Sequence, residues 1–128
     1  MEDVIIGIIV KDSKVLMIKR KKQEGNLIWG FPGGKVLENE SKEDACIREI
    51  LEETNLEVIV IKSLGHRQHP DTKVNLTYYV CKYLSGEIKV LNKDEILDVA
   101  FKTKNEFERD TKTSVFEPVK KYIYKFIK

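Results

Sequence analysis

Apolar and polar positions along the chain predict a set of short strands. Residues 4–10 are rich in isoleucine and valine, which is typical of a buried strand. The polar residues at 11–14 predict a turn, after which residues 15–19 return as a second strand. The remaining predicted strands are 57–63, 75–83 and 96–102.

A helical period of apolar residues is strongest between residues 41 and 55. Ser41 is a residue type that caps helix N-termini, and four residues after it follow the i, i+3, i+4, i+7 spacing of a core-facing stripe. These four are Ile47, Ile50, Leu51 and Thr54. A second amphipathic helix is predicted over 115–127, where the recurring apolar residues are Phe116, Val119, Ile123 and Phe126.

The segments between these elements complete the expected organisation. Residues 19–26 are polar and end in Gly25-Asn26, which predicts a mobile loop. Residues 29–34 are aromatic and glycine-rich, and we expect a rigid segment there. Strands and two separated helices within 128 residues predict one α/β domain, residues 1–128, with helical layers around a mixed sheet.

Composition and charge narrow the classes of function. The 23 basic and 21 acidic side chains give a net charge of +2, which argues against a nucleic-acid binder. The longest apolar run, residues 4–10, is too short to span a membrane, and no basic segment of a signal peptide precedes it, so we expect a cytoplasmic location. Cys46 and Cys81 lie in apolar stretches and are expected to be reduced, packed thiols.

Three carboxylates stand out on the helix predicted at 41–55. Glu49, Glu52 and Glu53 fall together on the side of the helical wheel opposite the apolar stripe. Like charges at this spacing repel each other by roughly a few tenths of a kcal/mol per pair. Bound divalent cations would offset that repulsion, and the alternative interpretation is an ordinary solvated acidic face.

The spacing around these glutamates is more specific than the glutamates themselves. Gly34 is followed after five residues by Glu40, then after seven more by Arg48-Glu49-Ile50, Glu52-Glu53 and Leu56. With the lead-in Phe31-Pro32-Gly33, this pattern resembles the Nudix box, which here spans residues 34–56. Asn55 stands where the box usually has glycine. Because asparagine also tolerates the left-handed conformation that ends a helix, we interpret it as a conformational substitute.

The resemblance implies a Nudix-type α/β/α sandwich around a mixed sheet, with a metal-dependent active site. It implies Mg²⁺ as the cofactor, with Mn²⁺ as an alternative, bound by hard oxygen ligands. The implied metal ligands are the carbonyl of Gly33 and the carboxylates of Glu49, Glu52, Glu53 and, outside the box, Glu95. For the outer ligand, Asp98 and an ordinary surface acid are the alternatives to Glu95.

The same resemblance implies a catalytic set of Arg48, Glu49 and Glu52. Glu49 is a candidate general base, and Arg48 is expected to orient the glutamates by charge-assisted hydrogen bonds. Glu40 and Asn55 are expected to support the motif structurally.

On the substrate side the resemblance implies Arg20, Gly34 and Lys35. The alternative for residues 19–22 is a solvated basic loop. Trp29, Tyr78 and Tyr79 offer rings on which a nucleobase stacks, although aromatic residues in strands more often belong to the core.

The leading functional hypothesis is a nucleoside triphosphate pyrophosphohydrolase that acts on an oxidised purine nucleotide such as 8-oxo-dGTP. The alternatives are an ADP-ribose or nucleotide-sugar pyrophosphatase and a catalytically silent domain that senses nucleotides. The intact glutamates argue against the silent domain. The expected partner is a small-molecule nucleotide, with no nucleic acid and no membrane, and both a monomer and a homodimer remain open.

Overall fold

Seven strands and three helices make up the part of the chain that the computed structural model describes, which is residues 2–21, 27–69, 72–111 and 114–128. The strands are β1 (Asp3–Lys11), β2 (Lys14–Lys21), β3 (Leu27–Gly30), β4 (Gly33–Lys35), β5 (Glu57–Gln68), β6 (Asn75–Ser85) and β7 (Ile96–Lys102). The helices are α1 (Lys42–Thr54), α2 (Lys104–Asp110) and α3 (Glu117–Phe126).

The sheet is mixed, and strand β1 lies at its centre. The order is β3-β2-β1-β6-β5, with β7 paired to β2 and β4 paired to β1. Strand β1 runs parallel to β6, whereas the other pairs are antiparallel. Along its other edge, β1 pairs with β4 through residues 4–6 and with β2 only through Val10 and Lys11. The short strand β4 therefore lies beside the central strand rather than at the rim.

Alternation along the strands divides the core into two layers. In β1, Ile5 and Ile9 pack in the cluster that contains α1, while Ile8 packs in the cluster that contains α2 and α3. Strand β2 divides in the same way, because successive side chains of a strand point to opposite faces. One helix on one face and two on the other confirm the expected α/β/α sandwich.

Most predicted elements are present, and several are longer than the pattern indicated. Three elements were missed. Strands β3 and β4 lie at the start and at the end of the segment expected to be rigid, and helix α2 precedes the predicted C-terminal helix. The missed signal for α2 is the capping box of Thr103 and Glu106, in which each side chain accepts a hydrogen bond from the other residue's backbone N–H. Of the predicted loop, residues 19–21 belong to β2 and residues 22–26 lie outside the described residues.

The predicted core face of α1 was partly wrong. Leu51 is 41% exposed, whereas Glu53, expected on the solvent side, is only 5% exposed. The buried stripe is centred on Ile50, and at about 100° per residue Glu53 lies about 60° from that centre while Leu51 lies about 100° away. In α3, Phe126 is likewise exposed, and Ile127 is buried.

The expectation of packed, unpaired cysteines is met. Cys46 and Cys81 are free and buried, with their Sγ atoms 3.5 Å apart. None of the described helices is long and apolar enough to cross a membrane.

The end of α1 has the predicted left-handed residue. Asn55 has φ 69° and ψ 14°, and its N–H donates to the carbonyl of Leu51 at 2.9 Å. Its side-chain Nδ2 donates to the carbonyl of Glu87 at 3.1 Å. Ser41 caps the other end by accepting a hydrogen bond from the N–H of Asp44. Both ends of the glutamate-bearing helix are therefore fixed by side chains of the expected type.

We predict that Asn55→Val destabilises the protein by more than about 1 kcal/mol, because a β-branched residue resists a positive φ. Asn55→Gly should stay within about 1 kcal/mol of the parent, since glycine relieves the strain but adds entropy to the unfolded chain. Urea unfolding of the three proteins measures both differences. Equal stability of the valine and asparagine proteins would contradict the left-handed assignment.

Candidate active site

The buried carboxylate of Glu53 is held by groups from two strands. The guanidinium of Arg20 contacts it at 2.8 Å, from Nη1 to Oε2. The backbone N–H of Gly33 donates to its Oε1, also at 2.8 Å. Nη2 of Arg20 donates in addition to the carbonyl oxygen of Gly33 at 3.1 Å. Arg20 therefore bridges the Glu53 carboxylate and the Gly33 carbonyl, which are two of the predicted metal ligands.

The pleat of β2 explains why Arg20 reaches this position. Leu16 and Ile18 pack toward α1, and Arg20 continues the same face of the strand. The pairing of β2 with β7 shifts register between Lys19 and Arg20, at the end of the strand. Such irregularities commonly re-aim a side chain next to a functional site.

A second arginine, Arg48, forms hydrogen bonds with the other acidic side chains of the cluster. Arg48 donates to both carboxylate oxygens of Glu40, at 2.8 and 3.0 Å, and to Glu49 Oε1 at 2.9 Å. Its longer contacts to the Glu52 carboxylate are 3.3 and 3.4 Å. Arg48 also donates to the carbonyl of Lys35 at 3.0 Å, which ties α1 to the end of β4. The orienting contacts expected of Arg48 and Glu40 are present.

The two glycines of β4 make room for these contacts. A Cβ on Gly33 would collide with the backbone carbonyl of Ile5 in the neighbouring strand. A Cβ on Gly34 would collide with the carboxylate of Glu49, which lies directly against the backbone of β4. Glycine at these positions therefore allows β4 to pair with β1 and to face α1 at the same time.

Burial sets the electrostatics of the two inner carboxylates. Burial raises the pKa of Glu53, and the facing Arg20 and the N–H of Gly33 oppose that rise. Burial likewise raises the pKa of Glu49, against the hydrogen bond from Arg48. The pKa of Glu40 is lowered, because Arg48 donates to its ionised form. Removing either arginine would therefore favour protonation of the carboxylates that it contacts.

The donor set fits a hard divalent cation in kind. Carboxylates and a backbone carbonyl are the ligands that Mg²⁺ prefers. Within the described ranges, however, no three Asp, Glu, His or Cys side chains converge on a common metal position. The contacts described for these carboxylates are with guanidinium groups: Arg48 contacts Glu49 and Glu52, and Arg20 contacts Glu53.

Some predicted site residues are not brought into this cluster. The carboxylate of Glu95 is exposed and accepts a hydrogen bond from Asn92 at 3.3 Å, although its backbone carbonyl binds the N–H of Lys21. Asp98 accepts a hydrogen bond from the N–H of Val99. The ammonium of Lys35 pairs with Glu2 at 3.2 Å, near the protein surface. The roles of Glu95 and Lys35 stay predictions.

Two neighbouring cavities lie near the cluster. The first, here called the glycine cleft, measures about 290 Å³ and is lined by Val4, Ile6, Arg20, Phe31, Gly33 and Gly34. The second, here called the aromatic pocket, measures about 130 Å³, and its aromatic walls are Trp29, Phe31, Tyr78 and Phe116. Ile6 and Phe31 line both cavities, so the glycine cleft and the aromatic pocket are neighbours that share these two walls.

Polar groups also line the aromatic pocket. Arg67 stacks on Phe116, 5.1 Å from the ring centroid, and its Nε donates to the hydroxyl of Tyr78 at 3.2 Å. Oγ1 of Thr111 is buried, and no described group forms a hydrogen bond with it. Trp29 and Tyr78 were predicted candidates for contact with a base, whereas Arg67 and Thr111 were missed because they have no local signal in the sequence. Tyr79 packs in the opposite core layer, where its hydroxyl donates to Glu43.

A buried lysine fixes the outer wall of the aromatic pocket. Nζ of Lys102 lies 3.6 Å from the ring centroid of Trp29 and 2.8 Å from the Asp110 carboxylate.

A larger cavity of about 460 Å³ lies beside α2 and α3 and includes none of the α1 glutamates. Its volume alone does not make it the functional site, since the charged cluster lies elsewhere.

Comparison with known proteins identifies a family. The model of the NUDIX domain matches residues 1–123. A protein of Buchnera aphidicola named 8-oxo-dGTP diphosphatase is 32% identical over 87 residues, which cover 67% of each chain. A Methanocaldococcus jannaschii protein named ADP-ribose pyrophosphatase is 39% identical over 65% of this chain and 52% of its own length. The crystal structure of a MutT NUDIX hydrolase from Burkholderia pseudomallei matches with a TM-score of 0.73 and 26% identity, over 96% of this chain and 95% of that one.

We predict that Gly34→Ala weakens Mn²⁺ binding by about tenfold, the lower range for disturbing groups that orient metal ligands. The added methyl displaces the flexible Glu49 carboxylate rather than the backbone, so the unfolding midpoint should change little. Gly30→Ala is the matched control, because no atom of the described residues lies within 4 Å of the added Cβ. Titration calorimetry and thermal melts of both variants make the comparison. Equal Mn²⁺ affinities would show that Glu49 does not need its place against β4.

Proposed function

The chain belongs to the Nudix family of hydrolases, and from this premise we propose that it cleaves a diphosphate linkage in a nucleoside triphosphate, with release of the nucleoside monophosphate and pyrophosphate. The proposed substrate is an oxidised purine nucleotide such as 8-oxo-dGTP. The observation that carries the proposal is that the aromatic pocket adjoins the glycine cleft, with Ile6 and Phe31 as shared walls, and that Arg20 and Gly33 of this cleft contact Glu53.

These two neighbouring cavities match the two chemical halves of a nucleotide. Aromatic walls stack a base, and the guanidinium of Arg67 donates hydrogen bonds to acceptor oxygens of the kind found on an oxidised guanine. The hydroxyl of Thr111 offers a further polar contact. At the other end, Arg20 and the backbone of Gly33 and Gly34 face the space proposed for the phosphates.

The glutamates supply the second requirement, which is a cation site next to the phosphates. Mg²⁺, or Mn²⁺ in its place, would be held by the Gly33 carbonyl and by Glu49, Glu52 and Glu53, and it would neutralise the diphosphate and acidify a bound water. Arg48 holds Glu49 and Glu52 in position through its contacts with both of them and with Glu40. The protein contributes mainly positioning and charge stabilisation.

Glu49 is the proposed general base. Its carboxylate lies against Gly34, which lines the glycine cleft, and from there it would accept the proton of the attacking water. Burial raises its pKa, which makes the carboxylate a stronger proton acceptor than an exposed glutamate. The hydrogen bond from Arg48 Nη1 fixes Oε1 of Glu49 and thereby sets the orientation of the carboxylate, including its other oxygen.

A second candidate is the hydrolysis of ADP-ribose. It is favoured by the 39% identity to the relative that bears that name. Both activities use the same glutamates and differ in what the aromatic pocket and its surroundings accept beyond the diphosphate. The retained acidic set disfavours a silent nucleotide sensor.

A nucleotide panel at saturating Mg²⁺ tests the proposal. The panel contains 8-oxo-dGTP, dGTP, CTP and ADP-ribose, and the products are separated by chromatography. We expect Mg²⁺-dependent release of pyrophosphate with the highest kcat/KM for 8-oxo-dGTP. Formation of AMP and ribose 5-phosphate from ADP-ribose alone would select the second candidate, and no turnover of any compound would refute both.

We predict that Glu53→Gln lowers kcat by about 100-fold or more, the scale for loss of one group that stabilises transition-state charge. The fold should survive, because the amide oxygen still accepts from Gly33 N–H and Arg20 retains solvent access. Glu38→Gln makes the same chemical change at an exposed position and should keep activity within about twofold. Near-normal turnover of folded Glu53→Gln would remove Glu53 from the proposed metal site.

A further inference from the structure

Arg20 lies on two of the proposed metal ligands, the Glu53 carboxylate and the Gly33 carbonyl. Its two terminal nitrogens contact one oxygen each of Glu53 and Gly33, at 2.8 and 3.1 Å. These are the two inner oxygens proposed as metal ligands. We infer that Arg20 is the resident cation of the metal-free site, that the divalent ion displaces it, and that the released guanidinium then binds the substrate phosphates.

Electrostatics explains why the buried Glu53 carboxylate needs a cationic partner when no metal is bound. The Glu53 side chain is only 7% exposed, and a buried carboxylate without a cationic partner is strongly unfavourable. Because a guanidinium is planar and carries forked donors, it can bind the carboxylate and the carbonyl together. Arg20 thus neutralises Glu53 and satisfies the Gly33 carbonyl at once.

The same contacts cannot persist beside a bound divalent ion. Mg²⁺ binds oxygen at about 2.0–2.1 Å with near-octahedral geometry, so it takes the space between the two oxygens that the Arg20 nitrogens face. The like charges of the ion and the guanidinium also repel each other at such distances. Binding of the ion therefore requires Arg20 to leave.

The displaced side chain has a place to go. Arg20 is 33% exposed, and it lines the glycine cleft, which is open and directly adjacent. In that cleft the guanidinium meets the space proposed for the phosphates, whose negative charge replaces the partner it has lost. The metal and the phosphates then bind cooperatively, because the ion releases the group that the phosphates use.

The exchange predicts opposite effects of one substitution on two ligands. Arg20→Gln should lower the Kd for Mn²⁺ at least fivefold in the absence of nucleotide, measured by the electron paramagnetic resonance of free Mn²⁺. The same variant should raise the KM for the nucleotide at saturating metal at least fivefold. Lys21→Gln removes the same charge from an exposed neighbour on β2 and should change both constants less than twofold.

A measurement on the unaltered protein covers the case in which Arg20→Gln does not fold. The chain has four arginines, so their side-chain Nε signals are few in a nitrogen-15 spectrum, and Arg20→Lys assigns the one of interest. We expect the Arg20 signal to shift as Mg²⁺ is added without nucleotide. An unshifted signal at saturating Mg²⁺, or an equal or higher Mn²⁺ Kd in folded Arg20→Gln, overturns the exchange.

The inference rests on the proposed metal-dependent hydrolysis, but the two fail separately. The metal measurements contain no nucleotide, so they report the exchange even if the nucleotide panel shows no turnover. Conversely, turnover of the panel with an unmoved Arg20 would keep the proposed function and refute the exchange.

Discussion

The proposed role of Glu53 requires a carboxylate that is buried, ionised and still accessible to a cation, and the surrounding geometry satisfies that constraint. Burying an unpaired carboxylate costs several kcal/mol, so donors must converge on it from the rest of the fold. They come from β2 through Arg20 and from β4 through the N–H of Gly33. The Glu53 side chain therefore connects α1 to two separate strands, β2 and β4.

One edge of β1 is shared between two strands, β4 and β2, and this division allows the donors to converge on Glu53. Strand β2 pairs with β1 only near the hairpin, which leaves the rest of that edge for β4. Gly33 is thereby placed between the central strand and the glutamates, with no side chain to obstruct the approach. Arg48 pairs in the same way with the remaining carboxylates of the cluster. It is held by Glu40 and contacts Glu49 and Glu52. Two arginines therefore organise the acidic set from two directions.

Local patterns predicted five of the seven described strands, the helix at 41–55 and its left-handed end, because period, capping and positive φ are properties of neighbouring residues. The box spacing likewise identified the glutamates and Arg48. The burial of Glu53 was not predictable in this way, since the apolar stripe alone placed it in solvent and its partners are 20 and 33 residues away. Arg67 and Thr111 were missed for the same reason: tertiary packing alone brings them to the aromatic pocket.

Crystals of the protein grown with Mn²⁺ and no nucleotide provide the most direct test that the glutamate cluster is a divalent-cation site. Anomalous diffraction at the manganese edge locates the ion independently of the surrounding protein density. The account predicts an anomalous peak within bonding distance of a Glu53 carboxylate oxygen and the Gly33 carbonyl oxygen, with the Arg20 guanidinium turned into the glycine cleft. No peak at Glu53, or a peak with Arg20 still bridging the two oxygens, would contradict it.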